Sequence, residues 1–116
     1  MHNFKKLKIW NEGISLVSDS YKLTKTFPDS EKFGLVSQMN RCAISIPSNI
    51  AEGSSKSTDK HFNKYLEDSL GSAFEWETQL IIAFNENYLS EDQFEELEHK
   101  IKQLQKMISS FQTRLK

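Results

Sequence analysis

The most informative segment of the chain is residues 38–54, which read QMNRCAISIPSNIAEGS. The segment predicts one helix with two stripes, because apolar side chains recur at steps of three and four and short polar side chains do the same on the adjoining face. The apolar stripe is Leu35, Met39, Cys42, Ile46 and Ile50, and the polar stripe is Gln38, Ser45, Asn49 and Glu52. Buried polar groups need hydrogen-bond partners, so we expect this helix to contact protein on more than one side.

The composition favours an all-α fold in a single domain of residues 1–116. Two Pro and four Gly among 116 residues leave few positions for the tight turns that sheets need. Cys42 is the only cysteine, which fits a reducing cytoplasm and argues against a Cys-rich metal site. The opening MHNFKKLKIW has no apolar core of a signal peptide, and no run is long enough to cross a bilayer. We therefore expect a cytoplasmic protein with no membrane contact.

Hydrophobic periodicity predicts four helices, at about residues 6–26, 31–54, 58–87 and from 90 to near the end of the chain. The fourth is the best marked. It opens with the capping-box sequence Ser90-Glu91-Asp92-Gln93 and then holds a three-four apolar repeat from Phe94 to Leu115. Because the connections are short, the expected architecture is an antiparallel up-down-up-down four-helix bundle.

Three residues inside these helices break helix propensity and need an explanation. Pro47 lacks an N–H, so we expect a kink, or a break in which Ser45 and Ser48 satisfy the freed backbone groups. Gly53 is expected to take a positive φ after the last turn of the second helix. Gly71 costs about 1 kcal/mol relative to Ala, which predicts a close backbone approach.

The predicted turn near Lys56 places Gly71 opposite Arg41 in the pair formed by helices two and three. Ion pairs that fix the register of the two helices are then expected. They are Arg41 with Asp68 or Glu75, and Glu52 with Lys60.

No pattern in the sequence indicates catalysis, a metal site or a cofactor. His2, His61 and His99 are not spaced to share a metal with one another or with Cys42. The glycines are isolated and form no phosphate-binding loop. Cys42 lies in the apolar stripe, where burial raises the pKa of a thiol, so we expect it to be buried and inert.

Charge is distributed unevenly, although the net charge is only −1. Residues 65–99 hold ten acids and no Lys or Arg, whereas the remainder holds all fifteen bases and six acids. In the predicted bundle, one end gathers bases that are candidate nucleic-acid contacts: Lys5, Lys6, Lys8, Lys56, Lys60, Lys64, Lys106, Arg114 and Lys116. The other end gathers Glu86, Glu91, Asp92, Glu95, Glu96 and Glu98. Helix dipoles explain the charges of helix four but not the lysines at the start of helix one.

The chain resembles the four-helix-bundle proteins encoded in intervening sequences of bacterial 23S rRNA genes. The resemblance lies in FKKLKIWNEGISLVSDSYKLTKTFP, QMNRCAISIPSNIAEGSSKST and FNKYLEDSLGSAFEWETQLIIA. The residues that carry its motifs are Gln38, Arg41, Ser45, Pro47, Asn49, Glu52, Gly53, Gly71, Ser72 and Glu75. The resemblance implies a homopentamer, related to the accessory protein of diversity-generating retroelements, which is a basic pentameric ring that binds nucleic acid and a reverse transcriptase.

Two departures from this family bear on function. Asn40-Arg41 stands where the family usually has two basic residues, and the chain is slightly acidic where the retroelement proteins are strongly basic. Both reduce the number of phosphates that the protein can neutralise.

The leading hypothesis is a non-enzymatic homo-oligomeric scaffold or adaptor that contacts RNA or DNA through its basic end. The alternative is a protein-binding module with no nucleic-acid role, and a third is a small hydrolase-like enzyme. The expected oligomer contacts are Gln38, Ser45, Asn49, Ile81 and Ile82. The last two belong to Leu80–Phe84, a run that is apolar all round the helix and either meets another subunit or lies within a thick monomer core.

Overall fold

The computed structural model describes residues 2–115 and consists of four helices arranged in a bundle. They are α1 (Lys8–Thr24), α2 (Leu35–Ser54), α3 (Asp59–Asn85) and α4 (Glu91–Leu115), with short 3-10 turns at Phe4–Lys6 and Asp29–Glu31. Each helix packs on the next along the chain, and α4 packs back on α1. The predicted all-α, antiparallel four-helix bundle is therefore confirmed.

The core takes one stripe of apolar side chains from each helix. Its members from α1 and α2 are Ile9, Leu16, Leu23, Met39, Ala43, Ile46 and Ile50, and those from α3 and α4 are Phe62, Leu66, Ala73, Trp76, Leu80, Ala83, Ile101, Leu104 and Ile108. One polar chain crosses this core. The Trp76 indole N–H donates to Ser20 Oγ at 3.0 Å, and the Ser20 hydroxyl donates to Asn40 Oδ1 at 2.9 Å. The polar groups of Ser20, Asn40 and Trp76, from α1, α2 and α3, thus satisfy one another.

The ends of α3 and α4 follow the sequence signals. Thr58 caps α3, and its Oγ1 accepts from the backbone N–H of His61 at 3.2 Å. Before α4, Ser90 Oγ accepts from the N–H of Gln93 at 3.1 Å, and Gln93 Oε1 accepts from the N–H of Ser90 at 2.9 Å. The reciprocal capping box is therefore confirmed.

The start and the middle of α2 differ from the prediction. The helix begins at Leu35 rather than near residue 31, because Gly34 leaves helical geometry with φ −110° and ψ −107°. Pro47 does not break α2, which continues as helix to Ser54. Pro47 instead packs on α1, where a Cβ at Gly13 would lie 3.2 Å from the Pro47 Cβ. Of the two outcomes expected at Pro47, the break was therefore wrong, and the kink stays a prediction.

Gly53 has a different role from the predicted one. No glycine has a positive φ in the part of the chain that the structure describes, and Gly53 lies inside α2. A Cβ there would stand 2.7 Å from the Cβ of Tyr65 and 2.8 Å from Cδ1 of Phe62. Gly53 thus permits the close approach of α2 and α3 that was expected at Gly71.

The register of α2 and α3 is shifted by about one helical turn from the predicted one. The hydroxyls of Ser45 and Ser72 lie 2.9 Å apart, and the Cys42 thiol donates to Glu75 Oε2 at 3.3 Å. The ends of the helices are not the cause, because α2 ends at Ser54 and α3 begins at Asp59 as predicted, so the shift comes from the packing of the two helices. Gly71 consequently has nothing from the chain within 4 Å of its would-be Cβ.

The predicted ion pairs between α2 and α3 do not form. The pairs found within residues 2–115 are His2 with Asp59, Lys100 with Asp19 and Lys102 with Glu98. The shift moves Arg41 out of register with Asp68, and Glu75 accepts a hydrogen bond from the Cys42 thiol at 3.3 Å instead of pairing with Arg41.

None of the helices described is both long enough and apolar enough to span a membrane.

Candidate nucleic-acid interface

The N-terminal segment folds back across the end of the bundle that was predicted to be basic. The backbone N–H of His2 donates to the carbonyl of Ser54 at 3.1 Å. The His2 ring lies 5.1 Å from the ring of Phe62 and 6.2 Å from that of Phe111, measured between centroids. The start of the chain, the α2–α3 connection and the end of α4 therefore meet at one end.

Four of the predicted bases surround one cleft at this end, between the N-terminal segment and α4. We call it the basic cleft. It has a volume of about 540 Å³, and its cations are Lys6, Lys8, Lys106 and Arg114. Its apolar lining comes from Leu7, Ile9, Met107 and Phe111, and its neutral polar lining from Gln103 and Ser110. A positively charged rim thus encloses an apolar floor.

The charges of the basic cleft are not neutralised within the structure. No acidic residue lines the cleft, and the four cations form no ion pair within residues 2–115. The Arg114 guanidinium lies over the Phe111 ring, 5.9 Å from its centroid, which is a cation–π arrangement. A concave site with charges of one sign concentrates the field and attracts counter-ions.

The lysines at the start of α1 oppose the dipole of that helix. Lys8 is its first residue, Leu7 makes no side-chain capping hydrogen bond, and the first turn holds no acid. Bases at a helix N-terminus are unfavourable, because the dipole makes that end positive. Lys6 and Lys8 therefore cannot be explained by the stability of α1.

The other predicted bases do not join this cleft. Lys56 and Lys64 line a separate cleft of about 480 Å³ together with His61 and Asp68, and Lys56 Nζ lies 5.1 Å from the Tyr65 ring. Lys5 stands 6.0 Å from the Phe4 ring, and Lys60 is exposed and lines neither cleft. Lys116 lies outside the described residues. The single predicted cluster is thus divided in two, and only one part is free of acids.

Cys42 lies at the seam between α2 and α3, where it is half-buried rather than fully buried. Desolvation raises the pKa of the Cys42 thiol, and the hydrogen bond to the Glu75 carboxylate raises it further. Gln79 Nε2 donates to the Cys42 sulfur at 3.5 Å, and the Gln79 Oε1 atom is buried without a partner. Within residues 2–115, no three His, Cys, Asp or Glu side chains are grouped as metal ligands.

The polar stripe of α2 is only partly satisfied within the chain. Asn49 Nδ2 donates to Ser45 Oγ at 2.9 Å, and Ser45 also contacts Ser72. Gln38 and Glu52 are exposed. Two members of the stripe therefore serve the α2–α3 contact, and two face solvent.

Apolar residues remain exposed on α3, on the side that faces away from the core. Phe74 is 53% exposed, Ile81 38% and Ile82 46%. We call this surface the α3 outer face, and it also includes Gly71 and Thr78. The rest of the Leu80–Phe84 run belongs to the bundle: Leu80 and Ala83 are buried, and Phe84 stacks on Phe94 at 4.4 Å.

A second apolar surface lies between α1 and α2. It is a groove of about 370 Å³, which we call the α1–α2 groove, lined by Phe4, Trp10, Ile14, Val17, Ile44, Pro47, Ser48 and Ala51. Ile14 and Ile44 are each at least 40% exposed. The two apolar surfaces lie on different helices, so one cannot cover the other within the same chain.

Comparison with known proteins places this fold in a family. The family model of the 23S rRNA-intervening sequence protein matches residues 5–110. The chain belongs to this family. A similar solved structure is that of a protein with unknown function from the S23 ribosomal protein family of Bacteroides thetaiotaomicron, with a TM-score of 0.83. That protein is 22% identical, and the match covers 90% of this chain and 97% of the other. No curated protein matched the chain.

The family match confirms the resemblance to the 23S rRNA intervening-sequence proteins, and the similar structure has the same fold. The relation to the accessory protein of diversity-generating retroelements stays a prediction. The sequence prediction did not connect the bases of the basic cleft with its apolar floor. Met107 and Phe111 lie four residues apart on α4, which places them on one face together with Lys106 and Arg114. That spacing would have connected the bases of α4 with two apolar side chains, but only the fold brings Lys6 and Lys8 to them.

Proposed function

We propose that this protein is a non-enzymatic, homo-oligomeric scaffold whose basic end contacts RNA or DNA. The observation that carries the proposal is the α3 outer face. Three large apolar side chains are exposed there beside Gly71, a helical glycine that has open space above it. A continuous apolar surface of this kind marks a protein contact more often than a solvated face.

Gly71 strengthens the argument because nothing in its own chain requires a glycine. Glycine in a helix interior costs about 1 kcal/mol relative to alanine. At Gly53 that cost is offset by the packing of Phe62 and Tyr65, but at Gly71 no neighbour within the chain benefits. A second chain that packs closely against the α3 outer face would supply the missing reason.

The α1–α2 groove supplies a complementary surface for the same contact. It is concave and mainly apolar, whereas the α3 outer face is convex and carries Phe74 as its most exposed ring. Two different patches that mate from subunit to subunit form a ring when the rotation closes. The pentamer implied by the family resemblance is the closure that we propose, with the basic ends of all subunits on one rim.

Light scattering coupled to size-exclusion chromatography, with Ile81→Asp and Ile82→Asp, tests the oligomer. Each aspartate would place an unpaired charge in a buried contact, at a cost of several kcal/mol. We expect both variants to elute as folded monomers. The control is Ser109→Asp, an exposed change on α4 outside both apolar surfaces, which should keep the wild-type mass. Variants that keep the assembly, or that unfold, would place the contact elsewhere.

A salt titration tests the nucleic-acid part separately. Binding to mixed RNA and DNA oligonucleotides should weaken steeply with salt, because each neutralised phosphate releases counter-ions. Undetectable binding at low salt would refute this part and leave the alternative, a protein-binding module. That alternative is supported by Phe33, a large apolar side chain that is 91% exposed at the acidic end. The Lys32 Nζ atom lies over the Phe33 ring, 5.5 Å from its centroid.

A further inference from the structure

The basic cleft combines two properties that together restrict its ligand. Its four cations have no acidic neighbour in the lining, so the cleft favours a negatively charged ligand. Its floor of Leu7, Ile9, Met107 and Phe111 offers nothing to a free inorganic anion, which has no apolar part to bury. The ligand that satisfies both has a negatively charged group joined to a flat apolar body.

A duplex satisfies only the first of these properties. Its phosphates lie on the outside and its bases are stacked within, so that it would touch the rim of the cleft but not its floor. A single strand presents unstacked bases beside its phosphates. Proteins that bind single strands use this combination, a basic groove that follows the backbone and an aromatic side chain on which a base stacks.

We propose that the basic cleft is a binding site for single-stranded nucleic acid, with a base on the Phe111–Met107 floor and the adjoining phosphates at the four cations. The inference rests on the proposed nucleic-acid function and names its site and its substrate class. The Phe111 ring is held in place by Phe62, which packs against it at 5.6 Å between centroids with the two ring planes tilted by 60°. Arg114, whose guanidinium lies over the same ring, adds a planar cation that stacks on bases and pairs with phosphate.

The charges along the seam between α1 and α4 limit the length of strand that one subunit holds. A second cleft, of about 300 Å³, continues the basic cleft and shares Lys8, Gln103 and Met107 with it. That second cleft is lined by Glu12 and Glu96, which repel phosphate, as well as by Lys8 and by Lys100, which is paired with Asp19. Phosphate is therefore bound less favourably there than in the basic cleft, whose lining holds no acid.

The test compares a labelled single strand of about twelve nucleotides with its duplex, by fluorescence anisotropy on the 116-residue protein at low salt. We expect the single strand to bind at least about tenfold more tightly, since stacking of even one base has an effect of that size. Met107→Ala should weaken single-strand binding and leave duplex binding unchanged, because only the single strand reaches the floor.

A matched pair of variants locates the site. Ser110 lines the basic cleft, whereas its neighbour Ser109 does not, and both are exposed on α4. Ser110→Glu should weaken single-strand binding at least about tenfold, and Ser109→Glu, which has the same net charge, should have little effect. Circular dichroism of both variants confirms that they fold.

The outcomes separate this inference from the proposed function. Equal binding of single strand and duplex, or equal losses in Ser109→Glu and Ser110→Glu, would overturn the single-strand site while nucleic-acid binding stands. Failure of both nucleic acids to bind the wild-type protein would overturn the nucleic-acid function, and the single-strand site with it.

Discussion

Replacing Gly71 by alanine separates the stability of one chain from the stability of the assembly. The added Cβ meets nothing within 4 Å in its own chain. Alanine exceeds glycine in helix propensity by about 0.8–1.0 kcal/mol, so the free energy of unfolding of the isolated chain should rise by about that amount. This corresponds to about a fivefold increase in the folding equilibrium constant.

The same methyl group should weaken assembly if a second chain approaches the helix backbone at this point. Overpacking of a close contact costs about 1–3 kcal/mol, which raises the dissociation constant of each subunit contact about five- to a hundredfold. Urea denaturation of Gly71→Ala in the monomeric Ile82→Asp background measures the first effect. Sedimentation of Gly71→Ala over a dilution series measures the second.

Gly53→Ala is the matched control, because its Cβ would overlap side chains of its own chain. At 2.7 Å from the Tyr65 Cβ and 2.8 Å from Phe62 Cδ1, the methyl group should lower the free energy of unfolding by about 1–3 kcal/mol. A Gly71→Ala protein that is more stable and assembles like the wild type would refute the close approach at the α3 outer face.

Three further predictions concern the bundle itself. Ser20→Ala leaves the Trp76 indole N–H and Asn40 Oδ1 without their shared partner, so urea denaturation should show a free energy of unfolding lowered by about 1–3 kcal/mol. An unchanged free energy of unfolding would mean that water replaces the hydroxyl. Ser90→Ala removes half of the capping box of α4 and should cost about 1 kcal/mol in the same assay, whereas no loss would assign the start of α4 to packing alone. Because the pKa of Cys42 is raised, its thiol should react with a labelling reagent slowly near neutral pH and faster as the pH rises, and Glu75→Gln should increase the rate by lowering that pKa. The contribution of the Cys42 thiol to stability is fully present below its unfolded pKa and is lost as the pH rises through its folded pKa. Labelling of the native protein at the rate seen in denaturant would contradict this prediction.

The sequence was sufficient for the fold because the strongest signals were local. The capping box at Ser90 and Gln93 and the apolar repeat of α4 depend on neighbouring residues, and both were confirmed. The start of α2 was wrong because Gly34 ends the preceding turn through its own backbone geometry, which no periodicity reveals.

The contacts between helices were harder to predict because they depend on register. A shift of one turn moved the expected close approach from Gly71 to Gly53, and a hydrogen bond between Cys42 and Glu75 forms where an Arg41 ion pair was expected. Both Gly53 and Gly71 lie inside helices, so the sequence does not distinguish them. Only the packing shows that Gly53 contacts a neighbouring helix of the same chain and that Gly71 does not. The basic cleft was half predicted, since the charges were visible in the sequence but the apolar floor required the fold.

Native mass spectrometry of the wild-type protein counts the subunits in the assembly. We expect a single dominant species of about five times the 13.5 kDa chain mass, at micromolar protein concentration. A dominant species of one chain mass under the same conditions would contradict the homo-oligomeric scaffold.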